Sequence, residues 1–162
     1  MAKRLFVINE WLLSDLSGEN GSDAREESYE FMLALRKKCD RIAVLRGSPW
    51  MHKADALMKS TDVATRRVSK VLHLSILRDS NKCNMFDEQE CAPVPESLKG
   101  RIHEKDEYLF RLFYASNADS LVTADARLQE QVAQIEWDKP PIFLRDEFLR
   151  QYRSEASGNM ER

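Results

Sequence analysis

Two aspartates bracket the segment DEYLFRLFYASNADSLVTADARL, Asp106 at its start and Asp125 near its end. Asp106 lies three and seven residues before Leu109 and Phe113, so a helix would carry its charge on the apolar stripe. Asp125 follows the apolar run Ser120-Leu121-Val122-Thr123-Ala124, which a parallel strand would deliver to the carboxyl edge of a sheet. Unpaired carboxylates are costly away from water, so two aimed at one place call for a cation between them. Near the amino terminus, Leu5-Phe6-Val7-Ile8 runs into Asn9-Glu10, a second strand end with oxygen donors. Such hard ligands suit Mg²⁺ or Mn²⁺, which activates water and stabilises charge on a phosphodiester. Thr123, two residues before Asp125, is placed to hydrogen-bond a carboxylate or that water. Taken singly, each acid has a plainer role: Asp106 favours a helix dipole, Asp119 sits in the turn Asn117-Ala118-Asp119, and Asp125 caps the following helix.

The elements around these residues alternate. Arg41-Ile42-Ala43-Val44-Leu45 and Ile142-Phe143-Leu144 read as further short strands. Helical spacing marks 23–38, with Asp23 and Glu26 as a capping pair, then 49–59, a longer helix from Thr61 to Ile76, and 147–152. Residues 17–22 and 79–100 lack periodicity; the second is a long loop or small insertion, with Met85-Phe86 as an anchor, and the chain from Ser154 onward is expected to be disordered. Strands alternating with helices predict one α/β domain over 1–152, a three-layer α/β/α sandwich on a mostly parallel sheet. In such a sheet ligands bind beyond the carboxyl ends of the strands, where strand order switches.

Composition narrows the partners. With 25 Lys+Arg against 27 Asp+Glu, the net charge of −2 supplies no global attraction for a polyanion, so nucleic-acid binding needs a local patch. Arg66, Arg67 and Lys70 on one helix, with Lys53, Lys59 and Arg78, provide one, or else form a solvated face. Trp50 either stacks on a base or packs in the core; Trp11 belongs to the core and Trp137 covers the approach to the last strand. Three cysteines without a CxxC, and His52, His73 and His103 without ligand spacing, argue against zinc and for reduced thiols. With no membrane-length apolar run and no signal-peptide pattern, the expected location is the cytoplasm, without membrane contact. GxGxxG, P-loop and GxSxG motifs are absent, which removes the best markers of dinucleotide, nucleotide and serine-hydrolase chemistry.

Asp106 opening a helix, the turn Ala115-Ser116-Asn117-Ala118, the apolar strand, Thr123-Ala124-Asp125 and Leu128 resemble the C-terminal signature of PIN-domain nucleases. Element order is similar over roughly residues 3–150. The strand running into Asn9-Glu10-Trp11 sits where that family has its first acid; strict correspondence puts Asn9 there, with Glu10 one residue later. The family's second acid lies in the helix after the second strand, where Asp55 is the one available, and Arg127 stands in the region of its fifth. The resemblance implies a Mg²⁺- or Mn²⁺-dependent ribonuclease. Its ligand and catalytic set is Glu10 or Asn9, Asp106 and Asp125 with Thr123, and Asp55 and Asp119 stand behind them. RNA is the implied substrate, and an antitoxin, another protein or a second copy the implied partner. The departures imply the other outcome, a PIN-like chain with weakened catalysis that serves as a binding or assembly module.

Overall fold

The strand-forming runs pair side by side in the computed structural model, which describes residues 3–135 and 140–160. Strands β1 (Leu5–Ile8), β2 (Arg41–Leu45), β3 (Cys83–Phe86), β4 (Ser120–Thr123) and β5 (Ile142–Leu144) form one all-parallel sheet in the order β3-β2-β1-β4-β5. Phe6 is the hinge of the register, opposite Ile42 on one side and Ser120 on the other. From β1 the chain builds outward to β2 and β3, then returns to place β4 and β5 on the other flank. The carboxyl ends of β1 and β4 therefore border the crevice created where strand order reverses.

Alternation sorts the strand side chains onto two buried faces. Phe6, Ile8, Ile42, Val44 and Val122 face a layer made by α1 (Trp11–Ser17), α2 (Ser22–Lys37), α3 (Pro49–Met58), α4 (Val63–Leu72) and α7 (Arg145–Met160). Val7, Ala43, Leu45 and Leu121 face α5 (Glu107–Ser116), α6 (Ala126–Ala133) and the 91–102 segment. The expected three-layer α/β/α sandwich is thus the observed one. Among the described residues no helix is long and apolar enough to cross a membrane, and all three cysteines are free thiols.

Several local expectations change. Helix α1 buries Trp11, Leu12, Leu13 and Leu16 over more than half of its circumference in only seven residues, so it is too short and too widely apolar to show the narrow stripe that marks a surface helix. Helix α2 starts from Gly21, at φ 96°, with no side-chain cap, so Asp23 and Glu26 do not make the expected box. The helix from α4 runs on through a π-helical turn, His73–Leu77. The 79–100 region is not an insertion: Cys83–Phe86 is an edge strand in register with β2, and Cys91, Val94 and Leu98 roof the second face. A four-residue strand hydrogen-bonded along one side only, with Asn84 in its centre, leaves little periodic trace. Trp50 is a core residue, 4% exposed, whereas Trp137 lies outside the described residues.

Helix α7 also continues through residues expected to be disordered. Tyr152 donates its hydroxyl to the buried Asp40 carboxylate (2.9 Å), and Glu155 is gripped by Arg4 (2.6 Å) and Lys38 (2.9 Å). These long-range contacts tie the helix to the amino edge of the sheet, where sequence polarity alone suggests a solvated tail. The hydrogen bonds from Arg4, then Lys38, hold the Glu155 carboxyl below its ordinary range. Its contribution is therefore present above the unfolded value of 4.5 and is lost as pH falls through the folded value. Glu155→Gln is expected to cost about 1 kcal/mol at pH 7, because the pair is only partly shielded. Urea midpoints of the two proteins should differ at pH 7 and converge in acid, below the folded value.

Candidate functional site

At the end of β1 the Asn9 N–H continues the ladder to the Val122 carbonyl (2.9 Å), fixing the backbone beside β4. The Asn9 side chain is then engaged at both its oxygen and its amide nitrogen. Its carbonyl oxygen accepts the Glu10 N–H (2.6 Å), and its amide donates to Thr123 Oγ1 (3.1 Å). Thr123 is wholly buried and also accepts the Asp125 N–H (3.1 Å). It therefore braces the two strand ends against each other, accepting a backbone and an amide donor. The Trp11 indole donates to the same Val122 carbonyl (3.0 Å). With this bracing, Glu10 turns away from Asn9 toward the helix layer above the edge.

There Asp106 lies within electrostatic reach of two further carboxylates, Asp125 and Glu10. Asp106 closes a 3₁₀ turn, Glu104–Asp106, and sits at the N-cap of α5 without a side-chain cap bond, 9% exposed. Burial pushes its carboxyl pKa up, and the negative charges of Asp125 and Glu10 push it further, against Lys105 and His103, which lower it. Asp125 lies exposed at the N-cap of α6, where one oxygen accepts the Arg127 N–H (2.9 Å). Its plainer capping role is real, and its charge still reaches Asp106. Glu10 accepts the Tyr108 hydroxyl (3.0 Å) and faces the Lys53 ammonium (3.6 Å). Burial and the Glu10 charge keep the Tyr108 phenol protonated, its pKa pushed well up.

The other expected ligands stand elsewhere. Asp119 precedes β4, and its carboxylate accepts the Leu5 N–H (2.7 Å) at the amino edge. The length of β4 puts that edge about 13 Å from the carboxyl edge. Parallel pairing makes this predictable, since residues before and after one strand lie at opposite edges. Asp55 is exposed on α3 two residues after Lys53, hence about 200° around the helix from the flank that faces Glu10. Arg66, Arg67 and Lys70 are exposed on α4, whose start is stapled to the far end of α1 through Thr65 and the Ser17 carbonyl (3.3 Å). Of the expected basic patch, Lys53 is the member that contacts the acidic edge. Lys105, His103 and Tyr108 are additional. Tyr108 resembles its neighbours Phe110 and Phe113 in sequence, and only its position beside Asp106 in the first turn hinted at a polar task.

Among the described residues, no three His, Cys, Asp or Glu side chains are grouped so as to hold a metal ion. The donor chemistry is still that of a hard cation, and Mg²⁺ commonly takes only one or two carboxylates and keeps its waters. Asp106 and Asp125 carry hard oxygen donors of the kind a hydrated ion takes, and they do not make a dry cage. Comparisons with protein-family models, curated proteins and solved structures gave no match.

Proposed function

We propose that the chain is a divalent-metal-dependent phosphodiesterase acting on RNA, with its site at the β1/β4 crevice. The observation that carries this reading is the electrostatic convergence of Glu10 and Asp125 on the buried, upward-shifted Asp106. A fold tolerates such repulsion where a ligand relieves it. The resemblance to PIN-domain nucleases, stated from the sequence, points to the same edge and to the same acids.

Asp106 and Asp125 would hold Mg²⁺ or Mn²⁺, which when bound supplies charge stabilisation at the phosphoryl oxygens and a more acidic water. The chain's own groups divide the remaining work. Tyr108 orients Glu10 through its hydroxyl. Lys105 flanks the acids with positive charge and would contact substrate phosphates, a role that base identity does not affect.

One observation favours a second reading, a metal-free binding or assembly module of the same fold. Asn9 stands at the position of the family's first acid and is spent on Thr123 and Glu10, while Glu10 is already hydrogen-bonded by Tyr108 and faced by Lys53. A Mn²⁺ titration separates the two. The enzyme reading expects a melting temperature that climbs with Mn²⁺ as occupancy rises, together with Mn²⁺-dependent cleavage of single-stranded RNA. Unchanged melting together with intact RNA selects the module. Hydrolysis of small phosphoesters with RNA left intact selects an unrelated phosphohydrolase.

A further inference from the structure

We propose that the cavity beneath α7, at the amino edge of the sheet, binds a compact aromatic cation, a protonated arylalkylamine. It lies at the end of β4 opposite to the acidic edge and stands independently of the metal-dependent reading.

Residue size and strand register make the space. Phe6 pairs with Ser120, and alternation turns both, with Phe143 of β5, toward α7. A serine set among these rings is too short to reach the helix, and about 220 Å³ stays unfilled above it. Phe148 and Tyr152 of α7 line the other side. Phe148 lies edge-on to Phe6 at 5.1 Å and stacks on Tyr152 at 5.6 Å. Rings in mutual contact of this kind hold their places, so the space does not close by collapse.

The polar lining selects what enters. Ser120 is 4% exposed and, among the described residues, its hydroxyl has no hydrogen-bond partner. A buried hydroxyl left in that state favours a ligand that brings a donor or an acceptor. Arg4 also lines the space, but its guanidinium is occupied, with all three nitrogens bonded to Asp40 or Glu155. Lys38 in turn holds Glu155. Asp119 differs: one oxygen accepts the Leu5 N–H (2.7 Å), and among the described residues no cation pairs with the carboxylate. Aromatic walls with one uncompensated negative charge at the rim attract a cation and repel an anion. Size limits the body of the ligand. An apolar cavity of about 150 Å³ admits benzene, so one of about 220 Å³ admits a single ring with a tail of about three further atoms.

The test uses three probes with one body and different heads: 2-phenylethylammonium, 2-phenylethanol and phenylacetate. Each is titrated into the ¹⁵N-labelled full chain, and the Leu5 and Tyr152 amide resonances report binding. The cation is expected to shift them with a Kd of roughly 0.1–1 mM. The alcohol should bind about three- to fivefold more weakly, and the anion should leave both resonances unmoved. Asp119→Asn, which keeps an acceptor for the Leu5 N–H, should bring the cation down to the affinity of the alcohol. Ser120→Val, which fills the space, should abolish binding of every probe. Ser120→Thr serves as the filling variant if circular dichroism shows that Ser120→Val is misfolded. No shift with any probe at about 10 mM overturns the site and leaves a packing void. Equal binding of all three probes overturns the cationic class. Binding that survives the filling variant at full strength overturns the cavity as its place.

Discussion

Asp106→Asn should melt at a higher temperature than wild type without metal, yet lose its response to Mn²⁺ and cleave RNA at least about a hundredfold more slowly. The two changes have one cause. In the metal-free protein Asp106 is buried and repelled by Asp125 and Glu10, and its side chain caps no backbone donor. Asparagine keeps the shape and removes the charge, so the metal-free fold gains about 1 kcal/mol, or roughly 2–4 °C. The pH dependence fixes the sign. Because the folded carboxyl is shifted above its ordinary 3.8, the advantage of the protonated form is full below that value and is lost as pH rises through the folded one. Wild type and variant should therefore separate at neutral pH and converge in acid. A variant less stable than wild type at pH 7 would show that the carboxylate supports the fold, and would remove the electrostatic case for a ligand. The measurements are melting curves from about pH 3 to 8, with and without Mn²⁺, and RNA cleavage at saturating Mn²⁺.

Arg145→Met is expected to cost about 3–5 kcal/mol, lowering the melting temperature by about 10 °C. Arg145 opens α7 and meets Asp15 of α1 at 2.7 Å, where Asp15 is 1% exposed. Ser28 and Asn20 complete the shell of that carboxylate, each at 2.7 Å. Methionine fills much of the volume but leaves a buried charge without a counter-ion, and this dominates the cost. The double variant Asp15→Asn/Arg145→Met should recover a large part of the loss, since the two residues act as one unit. Urea unfolding of the four proteins in the cycle measures the coupling. A loss below about 1 kcal/mol for Arg145→Met would mean that water reaches Asp15. The same guanidinium lies over the Trp11 ring, whose indole holds the Val122 carbonyl beside the site. Loosening it should also weaken Mn²⁺ binding, although it touches no carboxylate of the edge.

The comparison of sequence with fold divides by the range of the interactions involved. Strands at 5–8, 41–45, 120–123 and 142–144 were legible because each is a short run rich in branched and aromatic residues; the first three are largely buried on both faces, and 142–144 is a half-buried edge. Helices with a one-sided stripe, such as α2 and α5, were legible for the same reason. Helix α1 and strand β3 were not: one is seven residues long and buried over more than half of its circumference, and the other is a polar edge. Helix α7 looked too polar to fold beyond Ser154, because its partners Arg4, Lys38 and Asp40 lie more than a hundred residues away.

The candidate site divides in the same way. By itself the sequence determined a parallel sandwich, through strands alternating with helices. It also marked Asp106 and Asp125 as its most informative acids, through their positions at a helix start and a strand end. Only the tertiary structure decided what stands beside them. Asn9 and Glu10 are adjacent in the chain, and nothing local says which side chain faces the acids. The choice is made by Thr123, which captures Asn9, and by Tyr108, which reaches Glu10 across 98 residues of sequence. The same packing removed Asp119 to the opposite edge and turned Asp55 to the wrong flank of its helix, while it brought Lys53 to Glu10. A carboxylate's neighbours are set by helix rotation and strand register, and both are fixed by burial of side chains far away along the chain.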